Sequence, residues 1–96
     1  MYQRIYTVYI LTNKTYNFYI GFTGNLSRRL FEHKYELIEG YTKRYHIHRL
    51  VYFEFFDSPI EGIMREKQLK KWSRKKKIAL IREMNPTFLD LSRDWE

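Results

Sequence analysis

The stretch Tyr19–His33, YIGFTGNLSRRLFEH, changes character in its middle: an aromatic strand end runs through Gly21 and Gly24 into helical spacing. Glycine at such a junction permits φ > 0 or a close backbone approach. Beyond it, Arg29 and His33 stand four residues apart and so share one helix face. A guanidinium beside an imidazole has little logic on a buried face, but it suits a phosphate. The guanidinium offers parallel hydrogen bonds to two phosphate oxygens and stays charged. The imidazole can transfer a proton or hold an attacking water near neutral pH. Arg28 is the adjacent competitor for the phosphate.

Two phenols and a carboxylate extend the set. Tyr9 lies ten residues before Tyr19, and Glu66 falls in a later helical segment, MREKQLK. A phenol with a pKa of about 10 is a poor base unless a cation lowers it. With Arg29 and a metal ion near it, Tyr9 is a candidate for activating water. In a chain of nine tyrosines, the other reading is core packing with a satisfied hydroxyl. Glu66 has two readings as well: a ligand for magnesium, which needs only one or two protein carboxylates, or the partner of Lys70 at i+4.

In order, Thr7-Val8-Tyr9, Tyr19-Ile20-Gly21, Arg29, His33 and Glu66 resemble the GIY-YIG nuclease domain, in particular its small single-domain bacterial members. The likeness runs from about Tyr6 to Trp72. The first tripeptide departs from Gly-Ile-Tyr but keeps the tyrosine, and the second is intact. The resemblance implies hydrolysis of DNA phosphodiesters with Mg2+ (or Mn2+) held by Glu66. It also implies that Tyr9 and Tyr19 line the site, with Tyr9 as general base. Arg29 would clamp the phosphate, His33 would assist, and Gly21 would keep the site clear of a side chain. Asn85 is a further candidate, matching a late asparagine of the family; an Asn before Pro is equally an ordinary helix stop. Work on particular DNA structures in repair or recombination is the family association.

Composition agrees with a nucleic-acid partner. The net charge is +7, and Lys70–Lys77 holds six of the eighteen basic residues. Small basic domains favour polyanions. The candidate backbone contacts are Arg28, Lys43, Arg44, Lys70, Lys71, Lys75, Lys76 and Lys77, giving salt-sensitive binding to DNA with RNA left open. The three lysines Lys75–Lys77 open a helix, where the macrodipole is already positive, so stability does not account for them. With no cysteine there is no disulfide, thiolate nucleophile or Cys-based zinc site. His46 and His48 have i, i+2 spacing without a third ligand in reach, which suits a basic loop better than a metal site. No apolar run approaches a membrane span, and Gln3 and Arg4 interrupt any secretory start, so the expectation is a cytoplasmic protein without a membrane partner.

The elements that must position these groups follow from periodicity and caps. Ninety-six residues make one domain, 1–96, with a core over about 5–84 and a tail over 85–96. Strands are expected over 5–11, 16–22 and 50–57, the last covered on both faces. Thr23 or Asn25 caps a helix over 26–39 that buries Leu26, Leu30, Leu37, Phe31, Tyr35 and Ile38 and ends at Gly40. Residues 41–49 read as a loop. Ser58-Pro59-Ile60-Glu61 starts a second helix, to about Lys71, with Ile60, Ile63, Met64 and Leu69 inward. Ser73 starts a third, to Glu83, with Ile78, Leu80 or Ile81, and Met84 inward; Phe88, Leu89 and Trp95 pack back. The fold class is α+β: a small three-stranded antiparallel sheet flanked by three helices, in the order β-β-α-β-α-α. The functional reading is a metal-dependent endonuclease; the alternative is a nucleic-acid-binding module with this fold and little catalysis.

Overall fold

The computed structural model describes residues 4–95, so Gln3 and the outermost ends of the chain lie outside it. Its centre is β1 (Tyr6–Thr12), YTVYILT, buried at every position but the first. A strand apolar on both faces must be covered on both, so it takes the middle of the sheet. β2 (Tyr19–Thr23) and β3 (Arg49–Phe56) flank it antiparallel, in the order β2-β1-β3. The two faces of β1 serve two cores. Tyr9 and Leu11 pack with Leu30, Ile47 and Leu50. Val8 and Ile10 pack with Ile20, Val51, Tyr52, Leu69, Ile81 and Phe88. Helix α1 (Leu26–Lys34) and the single-turn α2 (Tyr41–Arg44) belong to the first face. Helices α3 (Pro59–Lys71) and α4 (Arg74–Met84) belong to the second. The expected α+β class and element order hold, with α2 added inside the segment read as a loop. Among the described residues no helix is long and apolar enough to cross a membrane.

Capping follows the sequence closely. Asn25 accepts from the Arg28 amide at 3.1 Å, and Thr23 Oγ1 accepts from the Asn25 amide at 3.0 Å. Ser58 and Ser73 accept from the amides of Glu61 and Lys76.

Lengths and faces differ from expectation for identifiable reasons. β2 begins at Tyr19 rather than residue 16, because Asn13 Oδ1 accepts the amides of Thr15 and Asn17 and folds that segment into a loop. α1 stops at Lys34, well short of residue 39. Glu36 takes φ 56°, the Leu37 amide reaches Glu32 O at 2.8 Å and the Glu36 amide reaches His33 O at 3.1 Å. This is a Schellman closure with a glutamate in the left-handed position usually held by glycine. Gly40, at φ 120°, instead precedes α2. The short α1 buries Leu30 and His33, leaving Phe31, Tyr35 and Leu37 exposed.

β3 is an edge strand covered only in its first half, and Phe55 faces solvent. α3 turns Gly62 and Leu69 inward, and Ile60, Ile63 and Met64 are exposed. Gly62 sets this face, since a Cβ there would stand 2.5 Å from Phe22 Cε1. Ile81 is buried as expected, with Ile78 and Leu80 partly so, whereas Met84 is exposed. In the tail Phe88 is buried and the Leu91 amide donates to Leu50 O at 2.8 Å. Leu89 is exposed, and half-exposed Trp95 meets the Phe53 ring at 6.1 Å.

Candidate active site

Tyr9 stands directly across the β1–β2 ladder from Gly21. Its ring crosses the space a Cβ on residue 21 would fill: that atom would lie 2.3 Å from Cζ and 2.4 Å from the hydroxyl. The YIG glycine is thus required by the tyrosine of the preceding strand. Beyond Gly21 the Tyr9 hydroxyl meets His33 Nε2 at 3.0 Å, and His33 Nδ1 meets Thr42 Oγ1 at 3.1 Å. Tyr9, His33 and Thr42 are all buried. The half-buried Tyr19 ring leans on both, 6.2 Å from the Tyr9 centroid and 5.3 Å from that of His33. Local structure delivers each group: strand register sets Tyr9 and Tyr19, and the Asn25 cap sets the rotation of α1. One helix face then carries Leu26, Arg29, Leu30 and His33 toward the sheet.

Arg29 is distinguished from Arg28 by that rotation. Its side chain is 41% exposed and its Nε lies 3.0 Å from Glu32 Oε1, whereas Arg28 is 76% exposed at the periphery. Arg29 is the one close enough to act electrostatically on Tyr9 and His33. Burial raises the Tyr9 pKa well above its ordinary value; neighbouring Tyr19 pushes it further up, and Arg29 only partly opposes them. The expectation that the guanidinium makes Tyr9 more acidic is therefore met in sign and overridden in sum. Burial, then the Arg29 charge, drives the His33 pKa down to about 4, so its ring is neutral near pH 7. A buried neutral His33 touches Tyr9 and not solvent, so direct handling of an attacking water falls away in this conformation.

Glu66 lies on the sheet-facing side of α3, one turn past Gly62. Its carboxylate is 18% exposed and pairs with Lys70 Nζ at 3.2 Å, the i, i+4 geometry of its second reading. No hydrogen bond or ion pair among the described residues links it to Tyr9, Arg29 or His33. Nor does any cluster of three or more metal-ligating side chains occur among them. A single hard carboxylate fits magnesium, which keeps most of its waters, and does not fit zinc.

The basic residues are spread over two regions. Lys43 pairs with Glu39 at 2.6 Å and Arg44 stacks over Tyr45 in and beside α2. Lys76 and Arg65 both lie over the Trp72 ring, at 5.1 and 5.2 Å from its centroid, and Lys70, Lys71, Lys75 and Lys77 flank Trp72 in sequence. His46 and His48 are both exposed, with His46 paired to Glu36.

Asn85 is not brought to the site. It is buried, donating to Val51 O at 3.1 Å and Leu89 O at 2.9 Å and accepting from the Leu89 amide at 3.0 Å. Val51 is the unpaired residue of a bulge, since Ile10 pairs with Tyr52 and Leu11 with Leu50. Asn85 takes up the carbonyl that the bulge frees. Glu54, the one charge inside β3, accepts two hydrogen bonds from Arg65 Nε and Nη2 and one from the Tyr52 hydroxyl. With Glu54 beside it, the Tyr52 pKa is pushed up to about 12, chiefly by burial. Sequence reasoning missed Thr42 altogether; its apolar-side position two residues after Gly40 becomes visible only once α2 is recognised as a helical turn.

Comparison with known proteins gives a consistent result. Residues 5–79 match the family described as GIY-YIG catalytic domain. A UPF0213 protein of Clostridium perfringens is 40% identical over 74 residues, spanning 77% of this chain and 80% of its own. One from Syntrophus aciditrophicus is 42% identical over 82 residues, spanning 82% and 91%. The solution NMR structure of a UPF0213 protein from Bacillus halodurans superposes with TM-score 0.59 at 28% identity, covering 94% of this chain and 97% of its own.

Proposed function

Because the chain belongs to the GIY-YIG family, whose catalytic domains are endonucleases, we propose that it hydrolyses DNA phosphodiester bonds in a single metal-dependent step. The observation that carries this reading is the junction of Tyr9, Gly21, Tyr19, Arg29 and His33 on one face of the sheet. Five positions from three elements converge there, and Gly21 is the residue type that the Tyr9 ring demands.

In this reading Arg29 binds the scissile phosphate by its guanidinium, which stays charged and offers parallel hydrogen bonds to two phosphate oxygens. Tyr19 borders the same opening. Tyr9 is held in place by His33 and Gly21, and its proton leaves only when further positive charge enters the site, since Arg29 alone does not lower its pKa enough. Glu66 would hold Mg2+ (or Mn2+), whose contribution when bound is to neutralise charge on the phosphate and lower the pKa of groups near it. Lys43, Arg44 and the Lys70–Lys77 segment supply phosphate-backbone attraction without sequence readout. The placement in one domain over 1–96, and service on particular DNA structures in repair or recombination, belong to this proposal.

The second reading, a binding module with little catalysis, draws on the complete burial of Tyr9 and the Glu66–Lys70 pair. One experiment separates them: labelled single-stranded, duplex, flapped and branched DNA incubated with magnesium, manganese or EDTA, for wild type and Glu66→Ala. Metal-dependent cutting lost in Glu66→Ala with DNA affinity retained supports the nuclease. Salt-sensitive binding without any cutting by wild type supports the module.

A further inference from the structure

Helix α1 exposes rings that its own packing does not use. Phe31 and Tyr35, one turn apart, are each 57% exposed, and their centroids lie 4.7 Å apart. An i, i+4 aromatic pair on a helix surface adds only slightly to helix stability, so stability does not account for two large rings left in water. Trp95 of the tail, 43% exposed, is set crosswise to Phe53. Between α1 and the tail runs a groove of about 360 Å3 whose lining includes all three rings, together with Lys34 and Arg93. Lys34 Nζ sits 5.6 Å from the Tyr35 centroid, and the Arg93 side chain is 65% exposed beside Asp94. The one acid in the lining, Asp90, is engaged: its Oδ1 accepts from the Leu50 amide and from the amide and hydroxyl of Ser92.

Rings interleaved with cations, with little opposing acid, match a polyanion that carries flat aromatic groups. In a duplex each base face is covered by its neighbours, so only an unpaired strand offers bases to such a groove. A second copy of this chain fits poorly, since it brings a net charge of +7 to a basic rim. We propose that the groove between α1 and the tail binds single-stranded DNA, seating unstacked bases on Phe31, Tyr35 and Trp95 and phosphates on Lys34 and Arg93. Ser27, Phe31 and Lys34 line it on one flank of the buried Leu30–His33 face of α1, and Arg29 stands on the other flank. A strand held at both places crosses one helix, about 10 Å wide, which a few nucleotides span. The binding rests on the groove alone. Its use in cutting, with unpaired DNA beside the scissile phosphate, rests on the nuclease reading.

The test is fluorescence anisotropy in EDTA, which stops metal-dependent cutting, at one fixed salt concentration. The full chain is titrated against a labelled single-stranded DNA of mixed sequence, the same sequence as duplex, and its RNA counterpart. Wild type is expected to bind the single-stranded DNA. Phe31→Leu/Tyr35→Leu keeps apolar bulk and helix propensity but removes the rings, and should weaken that binding about tenfold or more. Trp95→Leu should weaken it by a factor of about five or more. Duplex affinity should change less than about twofold in both variants, which also shows that they are folded. No single-strand binding by wild type, no loss in the variants, or equal losses on single strand and duplex overturns the proposal, as does tighter binding of the RNA. So does a concentration-dependent dimer in sedimentation that Phe31→Leu/Tyr35→Leu preserves and Phe31→Glu abolishes, since it gives the groove to a second copy. Ring-dependent single-strand binding by a wild type that cuts no DNA once magnesium is restored sinks the nuclease reading and leaves the groove assigned.

Discussion

Tyr9 and Gly21 face each other across two neighbouring strands, and the ring of the first occupies the volume in which a side chain of the second would stand. The two tripeptides that characterise the domain are therefore one packing unit. Each constrains the other, because a Cβ on residue 21 would stand 2.3 Å from the Tyr9 Cζ, closer than any Cβ tolerates. The absence of a side chain at residue 21 leaves the Tyr9 ring the room from which its hydroxyl reaches His33.

Gly21→Ala should therefore act through Tyr9. Seating the methyl requires the ring to move, an overpacking cost of about 1–3 kcal/mol, and breaks the bond from the Tyr9 hydroxyl to His33. Urea unfolding of Gly21→Ala, Tyr9→Leu and the double variant should show strong non-additivity, with the double variant more stable than the sum of the two losses allows. Independent, additive losses would mean that the close contact is not what holds Tyr9.

Burial of His33 makes stability depend on pH in a defined direction. Its folded pKa of about 4 lies below the ordinary value of 6.5, so between these the unfolded chain binds a proton that the folded chain refuses. Stability from this group is full above about pH 6.5 and declines as pH falls toward 4. At about 1.4 kcal/mol per unit the whole effect is on the order of 3 kcal/mol. Unfolding free energies of wild type and His33→Gln at pH 7.5 and 5 check it. The drop between the two should shrink in the variant; equal drops would place a neutral buried imidazole out of consideration.

Rotation of α1 separates the paired arginines. Arg29→Lys should reduce DNA cleavage by a factor of about 100 or more, the order seen when a preorganised charged hydrogen-bond donor is lost. Arg28→Lys keeps a peripheral charge and should change cleavage less than threefold, by ordinary rate measurements under saturating DNA. Similar losses in both would show that the side chains act only as a diffuse positive surface.

The chemistry was more legible in the sequence than the packing. Helical spacing placed Arg29 and His33 on one face, while the grouping of Tyr9 and Tyr19 with them was legible only through the resemblance to the GIY-YIG domain. Three helix starts were legible because Asn25, Ser58 and Ser73 cap by side-chain bonds that are local. The end of α1 was not, because Glu36 adopts a left-handed conformation that ordinarily signals glycine. The inward face of α3 was hidden for a different reason: Gly62 and Glu66 look toward the sheet while Ile60 and Met64 look out. Hydrophobicity points the wrong way where a glycine permits close approach to Phe22. Glu54 had no assignable partner until Arg65, eleven residues on, came round on α3.

Asn85 is the position where a family-derived expectation and the structure lead to opposite outcomes. Its amide closes three hydrogen bonds in a buried setting, one of them to the carbonyl that the β3 bulge leaves unpaired. Asn85→Ala should cost about 1–3 kcal/mol by orphaning these groups, loosening the turn that brings Phe88 onto the core. Because its hydrogen bonds go to Val51 and Leu89 and not to Tyr9 or Arg29, kcat per folded molecule should stay within about twofold, measured below the variant's melting range. A large fall in kcat with the melting temperature unmoved would return Asn85 to the reacting groups and remove it from the scaffold.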